Sequence, residues 1–375
     1  MKLNELKARA AELVAKLPYQ EYADSPGVKH YIDWSKYEGY TADAPRLSAS
    51  PAPCEVSVVN GTLAGVGSCG GVEAWASDEA PLRYITIENK MQALIFSKVL
   101  EAVHVKLWGR PNAPVVIRAS ASGQRAFSAA YLYLDVESGF EGDVVILAES
   151  FGDVLNAVIV EGTVGDGSSL NLSTVSISAG GPHYVLVRTS VGSRTSVVAR
   201  PLAYSGSMNS VIEEYVVQGE RSSVDVVGLD VGAGDSKIHH YVASVNDGEY
   251  GRSRIRLIAI SRDRAWVIQR ALGRITKQGR WSESVAEGVS YIASPEAVAV
   301  TQPVLYIDTG DVLGAKHSAA DASLDDEKVF YLRSRGFSPG ELPSLVMLSL
   351  IDQYKSSLPE GLSRALSPYL AKIET

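Results

Sequence analysis

From about residue 53 to residue 311 the chain alternates apolar and polar positions in short runs, the period-two pattern of strands with one buried face. AAYLYLDV, NAVIVEGTV, SLNLSTVSI, HYVLVRTSV, VIEEYVVQG and SSVDVVGLDVG are representative, and all favour β-branched or aromatic residues. Hairpin signals of the Asn-Gly type are nearly absent; VNG at 59–61 and NDG at 246–248 are the exceptions. A repeat runs through the region instead. Gly142, Gly167, Gly192 and Gly219 each open a new unit, at separations of 25, 25 and 27 residues. Each unit holds two strands and two turns, as one coil of a flattened parallel solenoid would. A β-sandwich of long strands is the other architecture that the pattern allows.

The flanks follow a different period. Leu3, Leu6, Ala10, Leu13, Val14 and Leu17 recur at helical spacing, and Pro18 ends the pattern, which predicts an amphipathic helix over 1–18. Residues 19–52, with Pro26, Gly27, Gly39, Pro45 and Pro51, read as an irregular cover anchored by Trp34 and Tyr37. After Asp321 the pattern is helical again. Asp325, Asp326 and Glu327 suit a first turn, Arg333 and Arg335 a last turn, and Gly336 a left-handed C-cap. The apolar run 329–332 would wrap most of so short a helix and predicts packing on more than one side. Ser338, Pro339 and Glu341 spell a capping box for a second helix, with Phe337 and Leu342 as its staple and Pro343 distorting its first turn. A third helical stretch covers about 359–373. The expected organisation is an N-terminal helical and irregular region (1–52), a β core (53–320) and a C-terminal helical region (321–375).

Composition narrows the function classes. With 46% hydrophobic and 21% charged residues over 375 positions, the chain is that of a folded protein. A net charge of −8 without a Lys/Arg cluster argues against nucleic acid as a partner. No run reaches the ~20 apolar residues of a membrane span, and charges recur every few residues at the N-terminus, so a cytoplasmic protein is expected. Cys54 and Cys69 are too few for a disulfide framework, and each reads as a buried or incidental thiol. There is no Walker A loop, GxGxxG opening a helix, or HExxH, and no catalytic residue is assigned. Glu213 and Glu214 are adjacent in a strand and therefore lie on opposite faces. The same rule sends one ring of His239–His240 inward and the other outward. His317 differs from the other histidines because its neighbours are small and a structural junction follows.

The stretch PVLYIDTGDVLGAKHSAADASLDDEKVFYLRSRG, residues 303–336, closely resembles the C-terminal signature of the SufB/SufD family of iron–sulfur cluster assembly proteins. Upstream, VSVVNGTLAGV is similar to the family's entry strand, and the run from His239 to Pro303 follows its late-coil pattern. The resemblance implies a mainly β fold, a right-handed parallel β-helix flanked by N- and C-terminal helical regions. It also implies a non-catalytic scaffold of the SUF machinery, pairing through its β-helix end with a SufB-type paralogue or with itself. A SufC-type ABC ATPase would dock on the C-terminal helices and supply the nucleotide chemistry. No cofactor would be held tightly; an iron–sulfur cluster would be shared transiently with a partner.

Carried over residue by residue, His317 matches the family histidine at that interface. The cysteine of SufD-type members two residues earlier is Ala315 here, and the glutamate of SufB-type members just after the histidine is Ser318. The SufB cluster cysteine has no counterpart in the run 294–301. The chain is therefore SufD-like, and His317 could lend a single ligand. Residues 325–336 and 337–354 match the ATPase-docking region, which nominates Asp325, Phe330, Tyr331, Arg333, Arg335, Gly336 and Phe337. The two arginines would reach the partner or neutralise the helix end. Two competing readings are a SufB-like homodimeric scaffold and, in another class, a β-helix carbohydrate-active enzyme with acidic residues clustered on one solenoid face.

Overall fold

The computed structural model describes residues 1–20, 32–43, 45, 47–178, 180–205, 207–322 and 326–373. These form a parallel β-solenoid of about seven turns with helices at both ends. Helix α1 (Leu3–Val14) precedes β1 (Ala42–Asp43), β2 (Glu55–Val59), β3 (Thr62–Val66), β4 (Val72–Ser77), helix α2 (Lys90–Lys98) and β5 (Ala102–Leu107). The coils then run through β6 (Val115–Val136), β7 (Glu141–Val164), β8 (Ser169–Ser178), β9 (His183–Val191), β10 (Ser196–Ala199), β11 (Leu202–Ser205), β12 (Met208–Val217) and β13 (Ser223–Gly232). They continue through β14 (Lys237–Asn246), β15 (Arg252–Ser261), β16 (Trp266–Ile275), β17 (Ser282–Ile292), β18 (Val298–Ile307) and β19 (Val312–Asp321). Helices α3 (Asp326–Ser334), α4 (Leu342–Ser357) and α5 (Glu360–Ile373) close the described chain.

Each strand pairs in parallel with its equivalent one coil away, so one side-chain position repeats along the solenoid as a row. Inward rows build a single aliphatic core of Val, Ile, Leu and Ala. The corners stack as well. Gly139, Gly167, Arg194, Arg221, Tyr250 and Trp281 each take positive φ and donate their N–H to the next coil's corner, as in Arg194 N to Glu220 O at 2.8 Å and Arg221 N to Glu249 O at 3.0 Å. Gly192 and Gly219 of the repeat answer a different need. A Cβ on Gly219 would lie 2.0 Å from the backbone N of Ser193, so the corners approach too closely for a side chain there.

Two apolar layers cover the outer faces. Leu3, Leu6, Ala10, Trp34 and Phe96 pack on Tyr184, Leu186 and Ile212, which confirms Trp34 as an anchor. On the other side Leu350, Ile351, Tyr354, Leu362 and Leu366 pack on Val175, Leu202, Leu229 and Ile258. Arg200 fastens this layer, donating from Nε to the Ser357 carbonyl at 2.9 Å, while the Tyr354 hydroxyl donates to the Arg200 carbonyl at 2.8 Å.

Several expectations are corrected. VNG does form a hairpin, with Asn60 and Gly61 both at positive φ between antiparallel β2 and β3. NDG does not. Asn246 ends β14, and Asp247 and Gly248 donate to the Val217 carbonyl of the neighbouring coil, which makes the turn a solenoid corner. Four separate runs merge into two long strands, because β6 and β7 bend through Gly123 (φ 155°) and Gly152 (φ 92°) without a loop. Helix α2, inside a stretch read as β-type, was not expected. Both rings of His239–His240 are buried: His240 points inward, and His239 faces outward but is covered, with Arg270 donating to its Nε2. Cys54 and Cys69 are not separate thiols; they are bonded to each other.

The second C-terminal helix starts later than its capping box. Glu341 reaches back to the N–H and hydroxyl of Ser338, both at 2.7 Å, but the helix begins only at Leu342. Among the described side chains of helix α3 none is fully buried: Val329 and Leu332 are half-buried, and Phe330 and Tyr331 are exposed. Among the described residues no helix is long and apolar enough to cross a membrane.

Candidate functional site

One inward row defines the end of the solenoid. Val115, Val144, Leu172, Ala199, Val226, Ile255 and Ala286 succeed one another by strand register, and all are at most 1% exposed. The next position is His317, on β19 opposite Ala286. It is exposed, with Nδ1 3.4 Å from the Pro303 carbonyl oxygen. A further coil would require an aliphatic side chain there. The imidazole marks where the core meets something other than another coil of this chain.

The last coil is bare along its edges. Among the described residues β18 pairs only with β16, and β19 only with β17, so each presents one unpaired backbone edge. Pro303 interrupts the edge of β18, the one kind of strand position a proline tolerates. The edge of β19 has no such break over its ten residues. Around it, Leu313 is 60% exposed and Tyr306 is 53% exposed, beside the half-exposed Ile307 and Trp281. The sequence reading passed over these apolar residues. Pro303 inside a β-type run was the one signal available for an edge strand.

A polar chain leads inward from this end. Thr301 Oγ1 donates to Gln269 Oε1 at 2.9 Å, Gln269 Nε2 donates to Asp230 Oδ2 at 2.6 Å, and Asp230 holds His240 Nδ1 at 2.9 Å. Asp230 and His240 are fully buried. Burial opposes the charge on His240, but the Asp230 carboxylate, its hydrogen bond and the more distant Glu213 outweigh it and raise the imidazole pKa. Glu213 is itself raised by burial. Glu214, the outward neighbour of Glu213, pairs instead with Arg188, as the strand alternation requires. Among the described residues no group of three or more His, Cys, Asp or Glu side chains could hold a metal ion. Several carboxylates on the coil faces pair with arginines, as in Arg254–Glu287 at 2.9 Å and Arg264–Asp235 at 2.7 Å.

The other nominated residues gather on α3 and the turn after it. Phe330 is 74% exposed and Tyr331 55%, an unusual display for a helix of nine residues. Arg333 is exposed, and the Arg335 guanidinium lies 5.3 Å from the Tyr331 ring centroid. Gly336 ends the helix at φ 97°, and Phe337 remains partly exposed beyond it. Asp325 lies outside the described residues. All of these described residues are exposed, and His317 lies on the preceding strand, β19.

Comparison with known proteins agrees with the geometry. Residues 117–349 match the family model for the SUF system FeS cluster assembly SufBD core domain. Iron–sulfur cluster assembly SufBD family proteins of Mycobacterium bovis and Mycobacterium tuberculosis are 32% identical over 88 residues. That segment is 23% of this chain and spans 22% of each relative's length.

Proposed function

Because the chain belongs to the SufBD family of the SUF iron–sulfur cluster assembly system, we propose that it is a non-catalytic, SufD-like scaffold of that machinery. In this reading it works in the cytoplasm, pairs across its open solenoid end with a SufB-type paralogue or a second copy, and docks a SufC-type ATPase on α3. The observation that carries the reading is His317, the exposed end of an otherwise aliphatic interior row. An imidazole there offers one nitrogen ligand to a cluster carried as cargo, with the remaining ligands supplied across the interface. Ala315 and Ser318, where cysteine or glutamate would add ligands, favour the SufD-like role over a self-sufficient SufB-like scaffold.

The exposed face of Phe330 and Tyr331 supports the docking role, since a large aromatic surface on so short a helix gains from a partner. Light scattering after size exclusion, with a SufC-type ATPase from the same source and with ATP, tests both interfaces. The expected outcome is a stable complex with a raised ATP hydrolysis rate, lost on Phe330→Ala with Tyr331→Ala while the fold is retained. Absence of a complex with wild-type chain, at an unchanged hydrolysis rate, would sink the docking proposal.

A further inference from the structure

The only two cysteines of the chain are bonded to each other at the end of the solenoid opposite His317. Cys54 immediately precedes β2 and is 3% exposed. Its backbone takes φ 57°, the left-handed region, and its carbonyl accepts from Val116 N at 2.9 Å. Cys69 sits in the run GSCGG between β3 and β4 and is only partly buried. A Cβ on the adjacent Gly70 would meet nothing within 4 Å, so the loop looks onto open space. Backbone hydrogen bonds hold the segment that precedes Cys69 independently of the bond. Gly67 N donates to the Glu55 carbonyl at 2.7 Å and Cys54 N to the Ser68 carbonyl at 3.2 Å, which hold the same two segments together.

We propose that the Cys54–Cys69 pair is a redox-active site, opened and closed by exchange with thiols at the Cys69 sulfur. A thiolate attacks Cys69 Sγ, the bond to Cys54 Sγ breaks, and its electron pair leaves on Cys54. Cys54 then takes up a proton. Asn112 Oδ1, 3.8 Å from Cys54 Sγ, is placed to accept from the resulting S–H, a donor the oxidised sulfur does not have. A second thiolate attacks the external sulfur of the mixed disulfide, which frees Cys69 and releases the oxidised dithiol or disulfide. Two electrons pass from two thiols to the pair, and the reverse sequence restores the bond. Opening frees residues 68–71 from their covalent anchor while the β2–β3 hairpin stays paired.

The test uses the full chain without denaturant. After isolation without reductant, alkylation followed by mass spectrometry is expected to find no modified cysteine, and two after treatment with dithiothreitol. With oxidised glutathione as probe, Cys54→Ser is expected to form the Cys69 adduct about tenfold faster than Cys69→Ser forms the Cys54 adduct. Amide exchange in 68–71 rises on reduction and that of the hairpin does not. The proposal is overturned by two free thiols in the isolated chain, by a bond that yields to dithiothreitol only on unfolding, by equal adduct rates, or by unchanged exchange in 68–71. The dithiothreitol and exchange measurements need no variant, so a substitution that failed to fold would not blunt them.

Discussion

At the scale of single residues, two buried histidines titrate in opposite senses. His183 is fully buried, with Nε2 2.8 Å from Ser150 Oγ and Nδ1 3.1 Å from Ser176 Oγ. Burial lowers its pKa from 6.5 to about 3. The unfolded chain therefore takes up a proton below 6.5 that the folded chain refuses. Its contribution is complete above that pH and falls as the pH drops toward 3, at a slope approaching ~1.4 kcal/mol per pH unit. Urea unfolding between pH 7 and pH 4 should show this loss, and His183→Gln should flatten it. His240 has a raised pKa, so its contribution is complete below 6.5 and is lost as pH rises through the folded value. Asp230→Ala strands that ring without its anion and should cost about 3–5 kcal/mol in the same assay at neutral pH. Strand alternation alone sent one ring of His239–His240 inward and put Glu213 and Glu214 on opposite faces. It could not place Asp230 beside His240, because their contact spans two different strands of the coil. Nor could it show His239 covered, which depends on Arg270 lying across it from a coil away.

At the scale of elements, legibility followed the strength of the local signal. The terminal helices were readable because their apolar stripes and caps agree. Helix α2 was not: Met91, Gln92, Ala93, Ile95 and Phe96 are all buried, and the half-buried face of Lys90, Leu94, Ser97 and Lys98 is interrupted by a leucine, so the helical period is weak. Its one marker is Asn89, whose side chain accepts from Gln92 N at 3.0 Å. Asn89→Ala should destabilise the chain by about 1 kcal/mol, measured as a lower urea midpoint at unchanged m-value. A substantially larger loss would mean that the buried Asn89 does more than cap. The joined strands β6 and β7 escaped notice because a glycine within a β-type stretch can mark a bend as well as an end, and Gly123 and Gly152 are bends. In α3 the apolar run predicts packing on more than one side, and within the chain Val329 and Leu332 are half-buried while Phe330 and Tyr331 stay exposed.

At the scale of the whole molecule, a 25- to 27-residue glycine spacing favoured a solenoid over a sandwich, because a coil repeats at constant length. The cysteine bond was beyond reach, since two thiols 15 positions apart say nothing about the turn that joins them. The open end carries a prediction of its own: Leu313→Lys with Tyr306→Lys should leave thermal unfolding nearly unchanged and abolish self-association or pairing in light scattering. Retention of the pair would move the interface elsewhere. The two ends of the solenoid also differ in kind. At the N-terminal end β3 folds back antiparallel on β2, and residues 49–51 lie along β3, with Gly65 pressed against Pro51. Among the described residues β3 and β4 also pair on one side only, but both run antiparallel to their partners, so the two tips present edges of different kinds. Where like tips pair with like, each chain is used up by one partner and association stops at a closed pair. Had the two tips been complementary, identical chains could have added head to tail without limit, and the same edge pairing that suits a scaffold would have drawn fibres.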